Sequence, residues 1–212
     1  LLVLAGAVAL RYVAALAAES FLERFSLFLA LAGLVVFCWG VRQLFHWWLP
    51  GLLFLLSIPL PEVVIGTLAL PLQIKASQLG AALLSWRGLP VRLDGNVIRL
   101  PGHELFVTEA CSGLRSLTAL LSLGVLLGGV VLRTGPSRLA LVALAVPVGI
   151  VLNGFRVFLT GFLVVFVDPR MADGFTHMTE GWLLFVAAFA VLGVLAWGLG
   201  RAERRWLRRG WR

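Results

Sequence analysis

Long apolar runs separated by short polar stretches recur along this chain at lengths close to the ~20 residues that a helix needs to cross a bilayer. A transmembrane barrel would instead show alternating segments of about 10 residues. The pattern predicts an all-α polytopic membrane protein, a bundle of about six to eight helices, with spans over residues 1–17, 25–40, 44–60, 63–86, 113–132, 139–167 and 182–200. The fourth run is the least regular, because Pro71, Gln73, Lys75, Ser77 and Gln78 interrupt it. Polar groups at membrane depth persist only where protein or water satisfies them, so this run is expected to be a broken, re-entrant or bundle-buried helix.

Residues 87–110 form the only sizeable insert between spans. Apolar and polar positions alternate on both sides of Asp94-Gly95-Asn96, the pattern of a small β-hairpin. The hairpin is expected on the outer side, directly upstream of Cys111. The whole chain, residues 1–212, reads as a single transmembrane domain that carries this insert. Leu1 stands inside an apolar run with no initiator methionine, which suggests a piece truncated at its N-terminus.

Composition agrees with the pattern. Hydrophobic residues make up 60% and charged residues 13% of the chain, against about a quarter charged in soluble domains, and the mean hydropathy is +0.99. The formal charge of +8 is carried chiefly by arginine and is concentrated in residues 201–212. A basic tail after a final span marks the cytoplasmic face rather than a nucleic-acid surface. On that basis the loop holding Arg133 and Arg138 is cytoplasmic, while Cys111 and residues 168–181, with His177, face outward. Arg87, Arg92 and Arg99 then also lie outside, against the usual bias.

Each ionisable side chain inside lipid costs on the order of 2.5–3.5 kcal/mol on insertion scales and so needs a partner or a task. Arg156 lies eleven positions before Val167, or ~16 Å along a helix. Asn153 is three residues earlier on the same helical face, and Pro147 is expected to kink the helix below it. Together they describe either a polar pocket opening outward or a set of interhelical bonds. Cys38 reads as a small buried hydrophobe, with a disulfide to Cys111 as the alternative. Cys111 stands at a helix start, where unpaired amides favour a thiolate. Arg115 is four residues on, and Gly113 permits close backbone approach. These features suit a nucleophile with donors for an oxyanion, which needs a base. His177 and His103 both qualify, whereas His46, beside Trp47 and Trp48, fits an interfacial belt. No CxxC, HExxH, phosphate-binding glycine loop or GxSxG elbow is present, and neither a metal nor another cofactor is expected.

The residues Glu109–Leu117, "EACSGLRSL", Asn153–Val157, "NGFRV", and His177–Trp182, "HMTEGW", resemble the three signature blocks of the exosortase/archaeosortase family. "FLLSIPLPE", "LPLQIKAS" and "GLPVRLDGNVIRLPG" are similar to its preceding segments in order and spacing. The resemblance implies a polytopic membrane cysteine peptidase or transpeptidase in the inner membrane, with its site on the periplasmic side. Cys111, Arg156 and His177 would be catalytic, with Glu109, Ser112, Gly113, Arg115 and Asn153 supporting or binding substrate. It further implies substrates that end in a PEP-type motif, a transmembrane helix and a basic tail. A link to exopolysaccharide export machinery also follows, with no nucleic-acid partner. His177, where archaeal members often carry Arg, points to a bacterial member. A transporter or export-complex subunit with a path lined by Asn153 and Arg156 is the alternative, followed by a purely structural scaffold.

Overall fold

A computed structural model describes residues 1–107, 114–167 and 175–209, leaving out the side chains of Glu62 and of residues 114–115, 175–180 and 208–209. Among the described residues there are eight helices: α1 (Leu2–Leu16), α2 (Ser20–Trp39), α3 (Val41–His46), α4 (Trp48–Ser57), α5 (Glu62–Trp86), α6 (Leu114–Val131), α7 (Gly135–Phe166) and α8 (Phe175–Arg209). Three strands, β1 (Arg92–Asp94), β2 (Val97–Leu100) and β3 (His103–Phe106), lie between α5 and α6. Ser20–Trp39, Gly135–Phe166 and Gly181–Leu207 are long and apolar enough to cross a membrane, and Leu2–Leu16, Trp48–Ser57 and Ser116–Val131 are shorter apolar helices. The chain is a helical membrane protein. It divides into two compact units, Leu1–Ile65 and Gly66–Arg212.

In the first unit α1 and α2 form a helical hairpin. Gly33 of α2 lets the side chains of Val3 and Leu4 approach its backbone, and Arg11 forms an ion pair with Glu23 near the turn. The phenylalanines Phe21, Phe25 and Phe28 stack in sequence along α2 and continue to Phe54 of α4. The expected span over 44–60 is two helices that meet at Trp47. Pro50 explains the break: it has no N–H for the carbonyl four residues back, and its ring crowds that carbonyl, so α3 cannot run on through it. Cys38 also departs from expectation, being an exposed free thiol in the last turn of α2.

The second unit is built on α7. Against it α5 runs parallel: Leu79 faces Gly154, Gly80 faces Val157, and Leu84 faces Gly161, in rising order on both helices. A β-carbon at Gly154 would stand 2.5 Å from that of Leu79, and one at Gly80 would stand 2.5 Å from Cγ1 of Val157. Small residues of this kind allow backbones to pack closely where lipid supplies no hydrophobic drive between helices. The helix runs unbroken through Pro71 and buries one face, the rest of its surface being exposed. Gln73, Ala76, Ser77 and Leu84 are buried, and Ser77 donates its hydroxyl to the Gln73 carbonyl. Lys75 and Gln78 remain exposed.

Helix α6 is antiparallel to α7, with Gly128 beside Arg138, Gly124 beside Leu141 and Val142, and Gly149 beside Leu117 and Leu120. Helix α8 returns along both. Leu120, Leu141, Ala145, Ala188, Leu192 and Ala196 form their shared core. At the far end the buried Glu203 carboxylate accepts the backbone N–H groups of Arg133 (3.1 Å) and Thr134 (2.5 Å). Thr134 is the N-cap of α7 and makes no side-chain cap bond of its own, so a carboxylate from α8 satisfies the start of α7 in its place. The first residues of the basic tail are thus helical and structural. Arg201 lies over the Trp197 ring at 3.9 Å.

The expected hairpin is present and is extended by β3 into an antiparallel sheet ordered β1-β2-β3. Gly95, at φ +60°, opens the two-residue turn Gly95-Asn96, and Pro101-Gly102, with Gly102 at φ +76°, closes the next. Ile98 and Leu100 point into a core shared with Leu84 and Val157. On the other face Arg99 pairs with Glu104 at 3.2 Å and approaches Asp94 at 3.9 Å. The sheet folds back along α5 instead of standing beyond its end. The Asn96 carboxamide donates to Gln73 Oε1 at 3.3 Å, and Gln73 lies thirteen residues, or ~20 Å, before the end of α5.

Candidate functional site

The polar residues of α7 fall on one face. Asn153 is buried, Arg156 half-buried and Thr160 buried, at the three- and four-residue spacing that aligns side chains on a helix. The Thr160 hydroxyl donates to the Arg156 carbonyl at 3.0 Å. Arg156 sends its guanidinium across to α8. A β-carbon at Gly181 would stand 3.6 Å from Nη2 and 3.8 Å from Cζ of Arg156, so the guanidinium lies against bare helix backbone. A planar cation can occupy this place because the position opposite carries no side chain.

His177 is the third residue of α8, one turn before Gly181 and in register with it; its side chain lies outside the described residues. Leu117 of α6 packs at Gly149, so the antiparallel course brings the first turn of α6 beside Leu152 and Asn153. Arg115 is the second residue of that turn, and its side chain too lies outside the description. Glu109, Cys111, Ser112 and Gly113 fall outside the described residues. What the structure brings together is therefore the Asn153–Arg156 face of α7, the start of α8 and the start of α6.

The alternative base is placed differently. His103 begins β3, half-buried and paired with Leu100 at the Pro101-Gly102 turn, and Leu100 packs near Gly161, further along α7 than Arg156. From there β3 carries the chain away from His103 before it reaches the segment of Cys111. His46 is exposed at the end of α3, where its ring Nδ1 and the Arg42 carbonyl are 3.2 Å apart.

Three contributions escaped the sequence reading. Gly181 reads as one more small residue until the guanidinium is seen against it. Glu203 is hidden in a run of arginines. Asn96 reads as a turn former, yet its side chain reaches Gln73 and also donates to the Val107 carbonyl at 3.2 Å. The polar interruption of the fourth apolar run was the signal for Gln73, but it named no partner.

No curated protein and no solved structure matches the chain. Residues 1–194 match the family model described as Transmembrane exosortase (Exosortase_EpsH). This match takes in the first unit and the second as far as the middle of α8, including the polar face of α7 and Gly181, and the chain belongs to the transmembrane exosortases, membrane enzymes of protein sorting.

Proposed function

We propose that the chain is a cysteine peptidase or transpeptidase of the inner membrane that cuts C-terminal sorting signals from membrane-anchored proteins on the periplasmic side, with Cys111, His177 and Arg156 as its reacting groups. The observation that carries this reading is the Arg156 guanidinium lying against Gly181, one helical turn after His177. Chain connectivity adds support. Cys111 is three peptide links from Leu114, at most about 11 Å, and α6 starts beside Asn153.

The Cys111 thiol gives its proton to the His177 imidazole as sulfur attacks the peptide carbonyl, forming a C–S bond and an oxyanion. Arg156 stabilises that oxyanion, with helix-start amides and Arg115 as further donors. Collapse breaks the C–N bond, and the imidazolium protonates the departing amine. An incoming amine or water then takes the acyl group from sulfur, giving transfer or hydrolysis and restoring the thiol. Glu109, Ser112, Gly113 and Asn153 shape and hold this site. Substrates with a PEP-type motif, a transmembrane helix and a basic tail suit an enzyme set in the bilayer, and a link to exopolysaccharide export belongs to the same reading.

The test is processing of a co-expressed substrate of that design by wild type, Cys111→Ala and Cys111→Ser, at matched membrane levels. Loss of the shortened product in both variants is the expected result. Undiminished processing by either would remove Cys111 from the chemistry.

A further inference from the structure

Asn96 makes more bonds than a turn requires. Its backbone carbonyl accepts the Val107 N–H at 3.0 Å, and its carboxamide donates to the Val107 carbonyl at 3.2 Å. One residue thus satisfies both backbone groups of Val107. The side chain stands in for the backbone donor that the turn has carried out of line, and so extends the β2–β3 ladder by one pair beyond Val97 and Phe106. The same carboxamide reaches Gln73 Oε1 on α5, where Gln73 is buried. Val107 itself is 1% exposed, in the core formed with Ile98, Leu100 and Val157. Val107 is four residues before Cys111.

We propose that Asn96 is a positioning residue for the reaction: through Val107 it fixes the depth, measured along α5 and α7, at which the chain enters the Cys111 segment. The proposal rests on the reading of Cys111 as the nucleophile. The residue type is specific. Asparagine alone among small side chains offers two N–H donors together with the compact shape the turn needs, one hydrogen for Gln73 and one for Val107. Aspartate in its place would accept from a Gln73 amide turned over, keeping the tie to α5, but would set a carboxylate against the Val107 carbonyl. The two bonds can therefore be separated by substitution, and only the Val107 bond is assigned the positioning role. A misplacement of about 1 Å at a reacting atom can cost on the order of 100-fold in rate.

The experiment uses the full chain in membranes, in a Cys38→Ser background, with substrate varied to separate kcat from KM and with iodoacetamide alkylation of Cys111 followed in parallel. Asn96→Asp is expected to lower kcat by about tenfold or more and to change the alkylation rate several-fold, with KM, membrane level and thermal midpoint close to wild type. Gln73→Leu, which keeps the Val107 bond, is expected to hold kcat within about threefold. Wild-type kcat in Asn96→Asp would overturn the proposal. So would equal losses in the two variants that follow a fall in thermal midpoint, since Asn96 would then act only through stability. Cys111→Ala is run beside them. Retained processing there would defeat the nucleophile reading, while the alkylation rate still reports whether Asn96 governs the thiol's surroundings.

Discussion

A cation in an apolar bundle needs room as much as it needs a counterpart, and at Arg156 the room is supplied by Gly181. The distances make the fit testable. A methyl group at Gly181 would meet Nη2 at 3.6 Å, an ordinary contact, so Gly181→Ala should keep most of its processing activity. Gly181→Val fills the space of the guanidinium itself and should lower kcat/KM by roughly 100-fold at an unchanged membrane level. Arg156→Lys should be as damaging, because a point charge on a flexible stem cannot present the planar fork to a developing oxyanion. Near-normal cleavage by Arg156→Lys would remove Arg156 from that role. Arg156 and Asn153 were legible in the sequence because a charge and an amide inside a run of valine, leucine and phenylalanine are costly. Gly181 was not, because its contribution is an empty volume that exists only once α8 lies on α7.

At the scale of elements, hydropathy located the helices well because each spanning segment must satisfy its own backbone hydrogen bonds. What it missed were local and tertiary effects. The break at Trp47 follows from Pro50, two residues into a run that is apolar throughout. β3 follows a Pro-Gly turn and carries only four residues, too short for alternation to stand out. The parallel packing of α5 on α7 left only scattered glycines as a trace. That interface predicts a compensating pair. Gly154→Ala drives a methyl into Leu79 and should destabilise the protein by about 1–3 kcal/mol, measured by denaturation in detergent. Adding Leu79→Gly, which removes the β-carbon that the new methyl would strike at 2.5 Å, should recover more of the loss than Leu79→Ala, which keeps that atom, and no difference between the two would mean that the helices do not meet there.

For the molecule as a whole, the Glu203 contact with the α6–α7 turn and the start of α8 beside Arg156 lie at opposite ends of one bundle. The basic residues cluster at the Glu203 end. If that end is cytoplasmic, Ser137→Cys in a chain lacking Cys38 and Cys111 should resist an impermeant maleimide added to spheroplasts and react in inverted vesicles. The opposite pattern would reverse the orientation. How the chain is held at Val107 was beyond sequence reading altogether, since Asn96, Gln73 and Val107 meet only through the fold.

The paired contacts along α7 and α8 also set a length. Arg156 and Thr134 are separated by the same number of residues as Gly181 and Glu203, so α8 is anchored at two points that its own rise must connect. One residue inserted after Phe189 would turn everything beyond it by about 100° and advance it by 1.5 Å. Either the carboxylate or the glycine would then miss its mate. Such an insertion should abolish processing even where many exchanges of the intervening apolar residues do not. Between those two anchors α8 behaves as a gauge: its composition is negotiable and its count is not.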